Sequence, residues 1–365
     1  MANVTYLLGA GASANALPVV TTMERRMVIF LEWLVRNGII PDARISALEK
    51  LLKSIAGHLS IDTYAKKLFL TENHQQLNRL RRFLSAYLIL EQSDEILQYS
   101  TWYLGGKPPG NKDSFSEMGV QLDLRYDAFM AALLEKSKNE LILPKNVRII
   151  SWNYDHQIEN AYLGFCESYD ISNAQRCLNM FPNPGELDAL PSEQYGIVRL
   201  NGCGVLEMTQ HEKMYQIRAI NEFNGLTKEK IKYILEGDHE AAWTPMISFA
   251  WEKNRYIFHK AAEIARTAAT EIIRQTDILV IIGYSFPLFN REIDCEILKP
   301  LDLAKEGKVF IQVLEKDYLS CRSRLISIYP NLNDDDVAHV QSVDQFFVPF
   351  ELNRVVNKRG TARSL

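Results

Sequence analysis

The feature that most constrains the fold is a short apolar segment that ends abruptly in glycines near the start of the sequence. Residues Val4 to Leu8 are followed at once by Gly9-Ala10-Gly11-Ala12-Ser13. A short apolar run before a glycine turn is typical of a strand that is buried on both faces. Such strands belong to parallel sheets that are covered by helices on either side.

The same pattern recurs along the chain. Four later apolar runs are strand-like, at 147–152, 197–200, 278–282 and 309–314. The first three end in polar or glycine-containing motifs, which are Asn153-Tyr154-Asp155, Asn201-Gly202 and Gly283-Tyr284-Ser285. Helical spacing of apolar residues covers 256–275 and 291–305. Strands that alternate with helices predict an α/β fold with a doubly wound, Rossmann-like parallel sheet.

The segment between the first two predicted strands is long and helical. Apolar side chains recur through most of it at three- and four-residue spacing, which predicts helices packed against one another. The sequence therefore predicts a Rossmann-like domain at 1–22 and 141–350, a helical insertion at 23–140 and a basic tail at 351–365.

Two stretches give weaker patterns. Residues 168–196 are rich in Pro, Gly, Ser and Asn, which predicts an irregular excursion. Residues 203–255 predict only short strands near 205 and 215 and one helix near 228–236.

Composition excludes several classes of protein. The 365 residues are 47% hydrophobic and 24% charged, which argues against a disordered, collagen-like or coiled-coil chain. The net charge of -4 gives no general case for nucleic-acid binding, so DNA contact would need a local patch at Arg79, Arg81, Arg82 or the C-terminal tail.

No apolar run approaches the roughly 18 residues of a membrane span, and the N-terminus lacks a signal-peptide pattern. We therefore expect a soluble, cytoplasmic protein that does not contact a membrane.

The cysteines and histidines predict no metal site. The five cysteines contain no C-x-x-C pair, and the seven histidines contain no H-x-x-x-H pair. These are the spacings that zinc ribbons and zinc enzymes use, so we expect no zinc cofactor.

The carboxyl ends of the predicted strands are the expected place for chemistry, because ligands of open α/β sheets bind there. Gly9, Gly11 and Ala14 satisfy the spacing G-x-G-x-x-G/A, in which glycines let the backbone turn tightly and approach a pyrophosphate. A conventional dehydrogenase also needs an acidic residue about 20 positions later, at the end of a second strand. Glu32 has about that spacing but lies in a helical pattern, which disfavours a dehydrogenase.

Two interpretations of Asn153 and Asp155 remain open. They are either a turn residue and the N-cap of the next helix, or a polar pair that takes part in chemistry. Ser285 lies in G-x-S-x-P rather than the G-x-S-x-G of a nucleophile elbow, and no histidine and acid partners can be assigned to it. A serine hydrolase triad is therefore disfavoured.

Taken together and in order, three motifs resemble those of the sirtuin-type NAD-binding domain. The run Gly9-Ala10-Gly11-Ala12-Ser13 is similar to the G-A-G-x-S loop, Asn153-Tyr154-Asp155 to the N-x-D motif, and Gly283-Tyr284-Ser285 to the late glycine-serine loop. The resemblance covers roughly 1–22, 145–202 and 276–316. It is greatest with a bacterial antiphage-defence branch, in which a sirtuin-like domain hydrolyses NAD and often works with a separately encoded ring-forming translocase ATPase.

The resemblance implies an NAD+ hydrolase that cleaves NAD+ to nicotinamide and ADP-ribose, forms homo-oligomers and depletes NAD in antiphage defence. It implies that the pyrophosphate lies against the N–H groups of residues 10–13 and the helix N-terminus behind them. The implied catalytic residues are Asn153, Asp155 and Asn201. The implied NAD-binding residues are Gly9, Ala10, Gly11, Ala12, Ser13, Gly202, Gly283, Tyr284, Ser285 and Glu315. A solvated loop carboxylate is an open alternative for Glu315.

One position departs from the family. Sirtuins carry His-Gly where this sequence has Asn201-Gly202, and that histidine is the expected base acting on a ribose hydroxyl. Asparagine can hydrogen-bond the ribose but cannot accept a proton at neutral pH. Three explanations remain open: catalysis with another base such as His156 or His211, an inactivating replacement of the histidine, or a domain that binds NAD without cleaving it.

Two other functions compete with hydrolysis. A non-catalytic module that binds NAD or ADP-ribose, as a scaffold or sensor in the same kind of complex, is the main alternative. A protein deacylase is disfavoured, because sirtuin deacylases usually carry a four-cysteine zinc ribbon that this cysteine spacing cannot form.

Overall fold

The computed structural model describes residues 2–18, 20–93, 122–137, 140–166, 170–187, 195–211, 214–220, 227–237, 243–252, 258–302 and 308–353. Most of the predicted basic tail, from 354 onward, lies outside these residues. The strands are β1 (Val4–Leu8), β2 (Glu135–Ser137), β3 (Glu140–Ile142), β4 (Val147–Ser151), β5 (Met180–Phe181), β6 (Gly185–Glu186), β7 (Ile197–Arg199), β8 (Gly202–His211), β9 (Met214–Ala219), β10 (Thr244–Ile247), β11 (Ile278–Ile282), β12 (Lys308–Gln312) and β13 (Val337–Val340). The α-helices are α1 (Val20–Arg36), α2 (Asp42–Ala56), α3 (Ile61–Leu70), α4 (His74–Glu91), α5 (Leu124–Leu133), α6 (Gln157–Leu163), α7 (Ile171–Cys177), α8 (Thr227–Glu236), α9 (His259–Arg274), α10 (Arg291–Leu298) and α11 (Glu315–Ile328).

Seven parallel strands form the central sheet, in the order β13-β12-β11-β1-β4-β7-β5. Helices flank this sheet, which confirms the prediction of an α/β fold with a Rossmann-like parallel sheet. Both β1 and β11 are buried along their whole length, as expected for apolar strands at the centre of a covered sheet.

The strand order reverses beside β1. From β1 the chain reaches β4 on one side, and only later returns to β11 on the other side. Leu8 is aligned with Ser151 of β4 and with Ile282 of β11, so the three strands end at the same level. The loops that follow them therefore meet at one edge of the sheet, which is where a doubly wound fold offers its ligand site.

The chain between β1 and β4 forms helices α1 to α5 in its described part, followed by the β2–β3 hairpin. Side chains of Ser60, Asn73 and Asp123 cap the starts of α3, α4 and α5. Almost every residue of α4 from Leu80 to Glu91 is buried. The reason is that α4 packs against β8, β10 and α8 as well as against neighbouring helices, so these helices share one core with the later part of the chain.

The sequence did not predict the second, antiparallel sheet, whose four strands have the order β10-β8-β9-β6. Only the short strands and the helix expected within 203–255 correspond to β8, β9 and α8. The prediction of an irregular excursion over 168–196 is wrong in part, because Asp170 caps the short helix α7, and β5 and β6 follow it. Elements this short leave too few residues for a periodic pattern.

The ends of the later elements differ slightly from the predicted ones. The strand expected at 309–314 is β12, which ends at Gln312, and the helix expected at 256–275 is α9, which begins at His259. Apolar periodicity locates an element better than it locates the last hydrogen-bonded residue. Within the described ranges, no helix combines the length and the apolar character needed to cross a membrane.

Candidate functional site

Glycines bring the loops after β1 and β11 into contact. The Gly9 N–H donates to the Ile282 carbonyl (3.0 Å), and the Gly11 N–H donates to the Gly283 carbonyl (2.9 Å). A Cβ atom on Gly9 would lie 2.7 Å from the Gly283 oxygen, and one on Gly11 would lie 2.8 Å from the Gly283 Cα. The packing of the two loops therefore requires these glycines, a role that sequence reasoning did not reveal.

This packing uses part of the predicted pyrophosphate site. The Gly11 N–H is taken by Gly283, and the Ala12 N–H donates to the Gly9 carbonyl (2.9 Å). Ala10–Ser13 forms a 3-10 turn, and α1 begins only at Val20. The helix N-terminus expected behind the loop is that of α1, which the turn separates from the loop, and its contact with a pyrophosphate stays a prediction. The assignment of residues 9–13 to NAD binding stays a prediction.

Gly283 and Gly38 offer a matched test of the loop contact. Both have a left-handed backbone, with φ of +59° and +58°. A Cβ on Gly283 would collide with the backbone nitrogen of Ala12, whereas nothing lies within 4 Å of a Cβ on Gly38. We expect Gly38→Ala to lower the free energy of unfolding by about 1 kcal/mol, and Gly283→Ala by at least about 3 kcal/mol because backbone must also shift. Urea unfolding measures both losses, and equal losses would show that the loops tolerate a side chain.

A hydrogen-bonded cluster joins the ends of β1 and β4. Asp155 accepts from the Ser13 hydroxyl (2.8 Å), and the Asn153 amide donates to the Gly9 carbonyl (3.0 Å) and to the Ser13 oxygen (3.3 Å). The Tyr126 hydroxyl of α5 lies 3.1 Å from the same Ser13 oxygen. All four side chains are buried. The fold thus brings together the motifs after β1 and after β4.

Asp155 makes the contact expected of a helix cap and a second contact besides. One carboxylate oxygen accepts from the Gln157 N–H at the start of α6 (3.2 Å), while the other faces Ser13. Burial raises the pKa of Asp155, and the hydrogen bond from Ser13 and the charge of Arg199 act against that rise. A buried carboxylate at the ligand edge of the sheet is suited to stabilising positive charge in a reaction.

Arg199 of β7 holds the backbone of the Asn153-Tyr154-Asp155 motif in place. Its guanidinium donates to the Asp155 carbonyl (2.9 Å) and pairs with Glu159 (2.6 Å), and Gln175 also donates to Glu159 (2.8 Å). Burial alone would raise the pKa of Glu159, but Arg199 holds it below its ordinary value. This buried ion pair joins α6, which contains Glu159, to β7, which contains Arg199.

Asn201 lies apart from the cluster. Its side chain lies near the Tyr154 hydroxyl, where it acts to lower the pKa of that group, and its carbonyl accepts from the Ser248 N–H (3.0 Å). In the described structure, no hydrogen bond joins it to the four side chains of the cluster. Gly202 has φ of +85°, and a Cβ there would collide with the Met246 carbonyl, so this glycine serves the contact between β8 and β10.

The two histidines considered as alternative bases differ in position. His156 follows Asp155 directly, and burial lowers the pKa of His156 to about 4, so its ring is neutral at pH 7. His211 ends β8, a strand of 10 residues that begins at Gly202. Such a strand is about 30 Å long. The hypothesis of His211 as the base is therefore wrong, because the strand carries it away from the site.

The loop after β11 places its residues in different surroundings. Ser285 is exposed, and its carbonyl accepts from Arg324 (2.7 Å). Tyr284 is buried; its hydroxyl donates to the Asp294 carboxylate (2.8 Å), and its ring stacks on Trp152 with centroids 5.9 Å apart. Tyr284 therefore packs the loops after β11 and β4 against each other. Whether Ser285 contacts NAD stays a prediction.

Asp294 makes the stability of the protein depend on pH. Burial raises the pKa of Asp294 to about 8, against a smaller lowering by the Tyr284 hydrogen bond. Between about pH 4 and pH 8 the folded state keeps a proton that the unfolded chain has lost, so stability falls as the pH rises through this window. We expect Asp294→Asn to come close to the wild type near pH 4 and to be more stable near pH 9, by at most about 5 kcal/mol. Urea midpoints at the two pH values measure this; parallel pH profiles of the two proteins would contradict it.

Glu315 lies at the carboxyl end of β12 and at the start of α11. Its exposed carboxylate is 3.3 Å from Nδ1 of His339, whose ring stacks on Tyr318 with centroids 4.1 Å apart. The strand that precedes Glu315, β12, lies two strand spacings from β1, a distance of about 10 Å. Glu315 is therefore not part of the cluster, and both its proposed contact with the adenosine ribose and its alternative as a solvated carboxylate stay open.

Sequence reasoning missed several residues that build the site. Arg125 donates to the Gly11 (3.2 Å) and Ala12 (3.0 Å) carbonyls and pairs with Asp123, which anchors the loop after β1 to the start of α5. Gln92, just beyond α4, accepts from the His156 N–H (3.1 Å). The contacts of Arg125 with Gly11 and Ala12, and of Gln92 with His156, join residues far apart in sequence, so no local pattern predicts them.

Arg81 is unavailable for the DNA contact considered above. It is buried in an ion pair with Glu252 and donates to the Ile247 carbonyl (2.9 Å). Arg82 donates to the carbonyls of Ile234 (3.1 Å) and Trp243 (3.0 Å). The hypothesis that Arg81 contacts a phosphate backbone is wrong, because its guanidinium is already buried in the protein.

Over the ranges that the structure describes, no three His, Cys, Asp or Glu side chains lie close enough to hold a metal ion, and all five cysteines are free. Comparison of the sequence with models of protein families and with curated proteins gives no match. The chemistry assigned to the site therefore rests on its own geometry and on the motifs that form it.

Proposed function

We propose that this protein is an NAD+ glycohydrolase that cleaves NAD+ to nicotinamide and ADP-ribose. The observation that carries the proposal is the buried cluster in which Ser13, Asn153 and Asp155 meet, where the order of a parallel sheet reverses. The resemblance of these motifs to the sirtuin type supports NAD+ as the ligand.

The reaction breaks the bond between C1′ of the ribose and the nicotinamide nitrogen. Nicotinamide leaves with the bonding electron pair as a neutral molecule, a water molecule adds to C1′, and one proton of that water is released. The ribose passes through an oxocarbenium-like state that carries positive charge. In this proposal the Asp155 carboxylate stabilises that charge, and Asn153 orients the ribose hydroxyls.

This route does not require the histidine that sirtuins use. The nicotinamide of NAD+ is already cationic, so its departure needs no acid, and a water can add without prior activation of a ribose hydroxyl. Asn201 then contributes at most a hydrogen bond. In the proposal, residues 9–13 contact the pyrophosphate, Gly283 and Ser285 contact a phosphate or the adenosine ribose, and Glu315 contacts the adenosine ribose.

The test is incubation of the purified protein with NAD+, alone and together with a candidate ring-forming translocase ATPase. We expect nicotinamide and ADP-ribose to appear in equal amounts, measured by chromatography. An NAD+ concentration that stays constant under both conditions would reject the proposal.

We further propose that the protein acts as a homo-oligomer in antiphage defence by depleting NAD. The basis is the resemblance to the defence branch, and both properties are inferred by analogy with that branch. Light scattering of the purified chain tests the oligomer. Measurement of cellular NAD during phage infection, with and without the gene, tests the role in defence.

A second candidate function is binding of NAD or ADP-ribose without cleavage, as a scaffold or sensor. It is favoured by the position of Asn201, whose side chain lies near the Tyr154 hydroxyl. Calorimetry with each ligand distinguishes the two functions. Heat with NAD+ but no release of nicotinamide would support the binding module, whereas no heat from either ligand would reject it.

A further inference from the structure

The Tyr126 side chain reaches the proposed site from the helical segment between β1 and β4. Tyr126 lies in α5, and its hydroxyl is 3.1 Å from the Ser13 oxygen. Both side chains are buried, and the Tyr126 ring packs edge-on against Phe346 with centroids 4.9 Å apart. The neighbouring Arg125 donates to the Gly11 carbonyl (3.2 Å), so the start of α5 is held against the loop after β1. The Tyr126 hydroxyl therefore has a fixed position beside Ser13.

The hydrogen bonds of Ser13 have one consistent direction. A serine hydroxyl can donate one hydrogen bond and accept two. Ser13 donates to the ionised carboxylate of Asp155 (2.8 Å) and accepts from the Asn153 amide (3.3 Å). Its only proton is thereby used, so the Tyr126 hydroxyl is the donor in the contact that these two hydroxyls make. The one donor and both acceptor positions of the Ser13 hydroxyl are thus occupied.

This complete set of bonds separates the role of the Ser13 side chain from that of its backbone. With one bond donated and two accepted, the hydroxyl has none left for a phosphate of NAD+. A contact between Ser13 and the pyrophosphate would use the backbone instead. The side chain directs its proton at Asp155, and the Tyr126 hydroxyl helps to fix that direction.

The other groups that act on Asp155 are charged. Burial raises the pKa of Asp155, the Ser13 hydrogen bond and the Arg199 charge lower it, and the Glu159 charge raises it. Removing the Tyr126 hydroxyl leaves the ion pair of Arg199 and Glu159 in place, so a resulting change at Asp155 would pass through Ser13. Three further ionisable side chains act on the members of this cluster, which are Asp123, Arg125 and Cys203.

From these contacts we propose that Tyr126 is a positioning residue for the cleavage of NAD+, which acts through Ser13 on Asp155. The Tyr126 hydroxyl fixes the Ser13 hydroxyl so that its proton points at the carboxylate, and two hydrogen bonds in a chain strengthen each other. The ionised carboxylate is then held in one orientation at the ligand edge of the sheet. This role rests on the proposed function, and it makes the helical segment part of the proposed site.

Tyr126→Phe removes the hydroxyl and keeps the ring, and Tyr6→Phe on β1 is the matched control. Tyr6 is also buried and packs edge-on against the ring of Phe129, but its hydroxyl has no hydrogen-bond partner among the described residues. NMR of the full chain without ligand, with isotope-labelled aspartate carboxyl groups and Asp155→Asn to assign the signal, measures the pKa of Asp155.

We expect Tyr126→Phe to raise the pKa of Asp155 by at least about 0.5, because the ionised form loses support, and Tyr6→Phe to leave it unchanged. Equal values in the two variants would overturn the proposal, whether or not the wild type cleaves NAD+. Wild-type protein that cleaves no NAD+ would reject the proposed function alone, and the NMR comparison then decides the role of Tyr126.

Kinetics test the same role in the reaction. We expect Tyr126→Phe to lower kcat about two- to tenfold, the usual effect of one neutral hydrogen bond, and to change KM less than about twofold. The acid limb of the pH profile should move to higher pH, because a carboxyl group with a higher pKa ionises at higher pH. Ser13→Ala should have the same effects, and adding Tyr126→Phe to it should change nothing further. An acid limb that stays in place in Tyr126→Phe, or additive effects in the double variant, would overturn the proposal.

Discussion

Asp155→Asn is expected to lower the rate of NAD+ cleavage by about 10²- to 10⁴-fold, which is the usual effect of removing one well-placed charged group from an active site. The substitution keeps the shape of the side chain and an oxygen for the Ser13 hydroxyl, but it removes the negative charge that faces the developing cation. Nicotinamide release at saturating NAD+ measures the loss. We expect the change in kcat rather than in KM, because the charge acts mainly in the transition state.

Asp170→Asn is the matched control for this variant. Asp170 caps α7 by accepting from the Ser172 N–H (2.9 Å), just as Asp155 accepts from the N–H two residues later. Asparagine caps helices about as well as aspartate, so both variants are expected to keep their helices and only one to lose activity. Equal activity of the two variants would show that Asp155 acts only as a cap.

The rise in the pKa of Asp155 predicts the acid side of the pH profile. Only the ionised carboxylate stabilises positive charge, and burial raises the pKa of Asp155 above the ordinary value of an aspartate. We therefore expect activity to fall, as the pH is lowered, well before the pH reaches about 4. The Asp155→Asn variant should lack this acid limb.

Arg199→Met is expected to destabilise the folded protein by about 3 to 5 kcal/mol. The substitution leaves Glu159 buried without its cationic partner, and the Asp155 carbonyl loses a donor as well. A lower urea midpoint, followed by far-UV circular dichroism, measures the loss. Because Arg199 lies beneath the proposed site, the variant is also expected to cleave NAD+ more slowly.

The double variant Arg199→Met with Glu159→Leu separates the two causes. Removing both charges removes the uncompensated carboxylate, so we expect the double variant to recover most of the stability that the single variant loses. A double variant that is as unstable as Arg199→Met would show that lost packing, rather than an unpaired charge, is responsible.

The positions of β1, β4, β7 and β11 could be predicted because each lies in a short, mostly apolar run that leads to a glycine or an asparagine. The antiparallel sheet could not be predicted, since β8 runs through both Gly204 and Glu207, and no alternation of apolar and polar residues marks it. Glu207 is tolerated there because Arg218 of β9 pairs with it at 2.5 Å, a contact that exists only after the strands meet.

By itself, the sequence determined that β1, β4 and β11 are buried strands and that motifs with glycine, asparagine and aspartate follow them. These are local properties, because burial on both faces favours a largely apolar run. Only the tertiary structure decided that Asn153 and Asp155 meet Ser13 while Asn201 faces Tyr154, and that Gly11 packs on Gly283. The physical reason is that strand order and register, together with the ion pairs buried beneath the sheet, set which loops come within hydrogen-bonding distance, and no short stretch of sequence encodes that geometry.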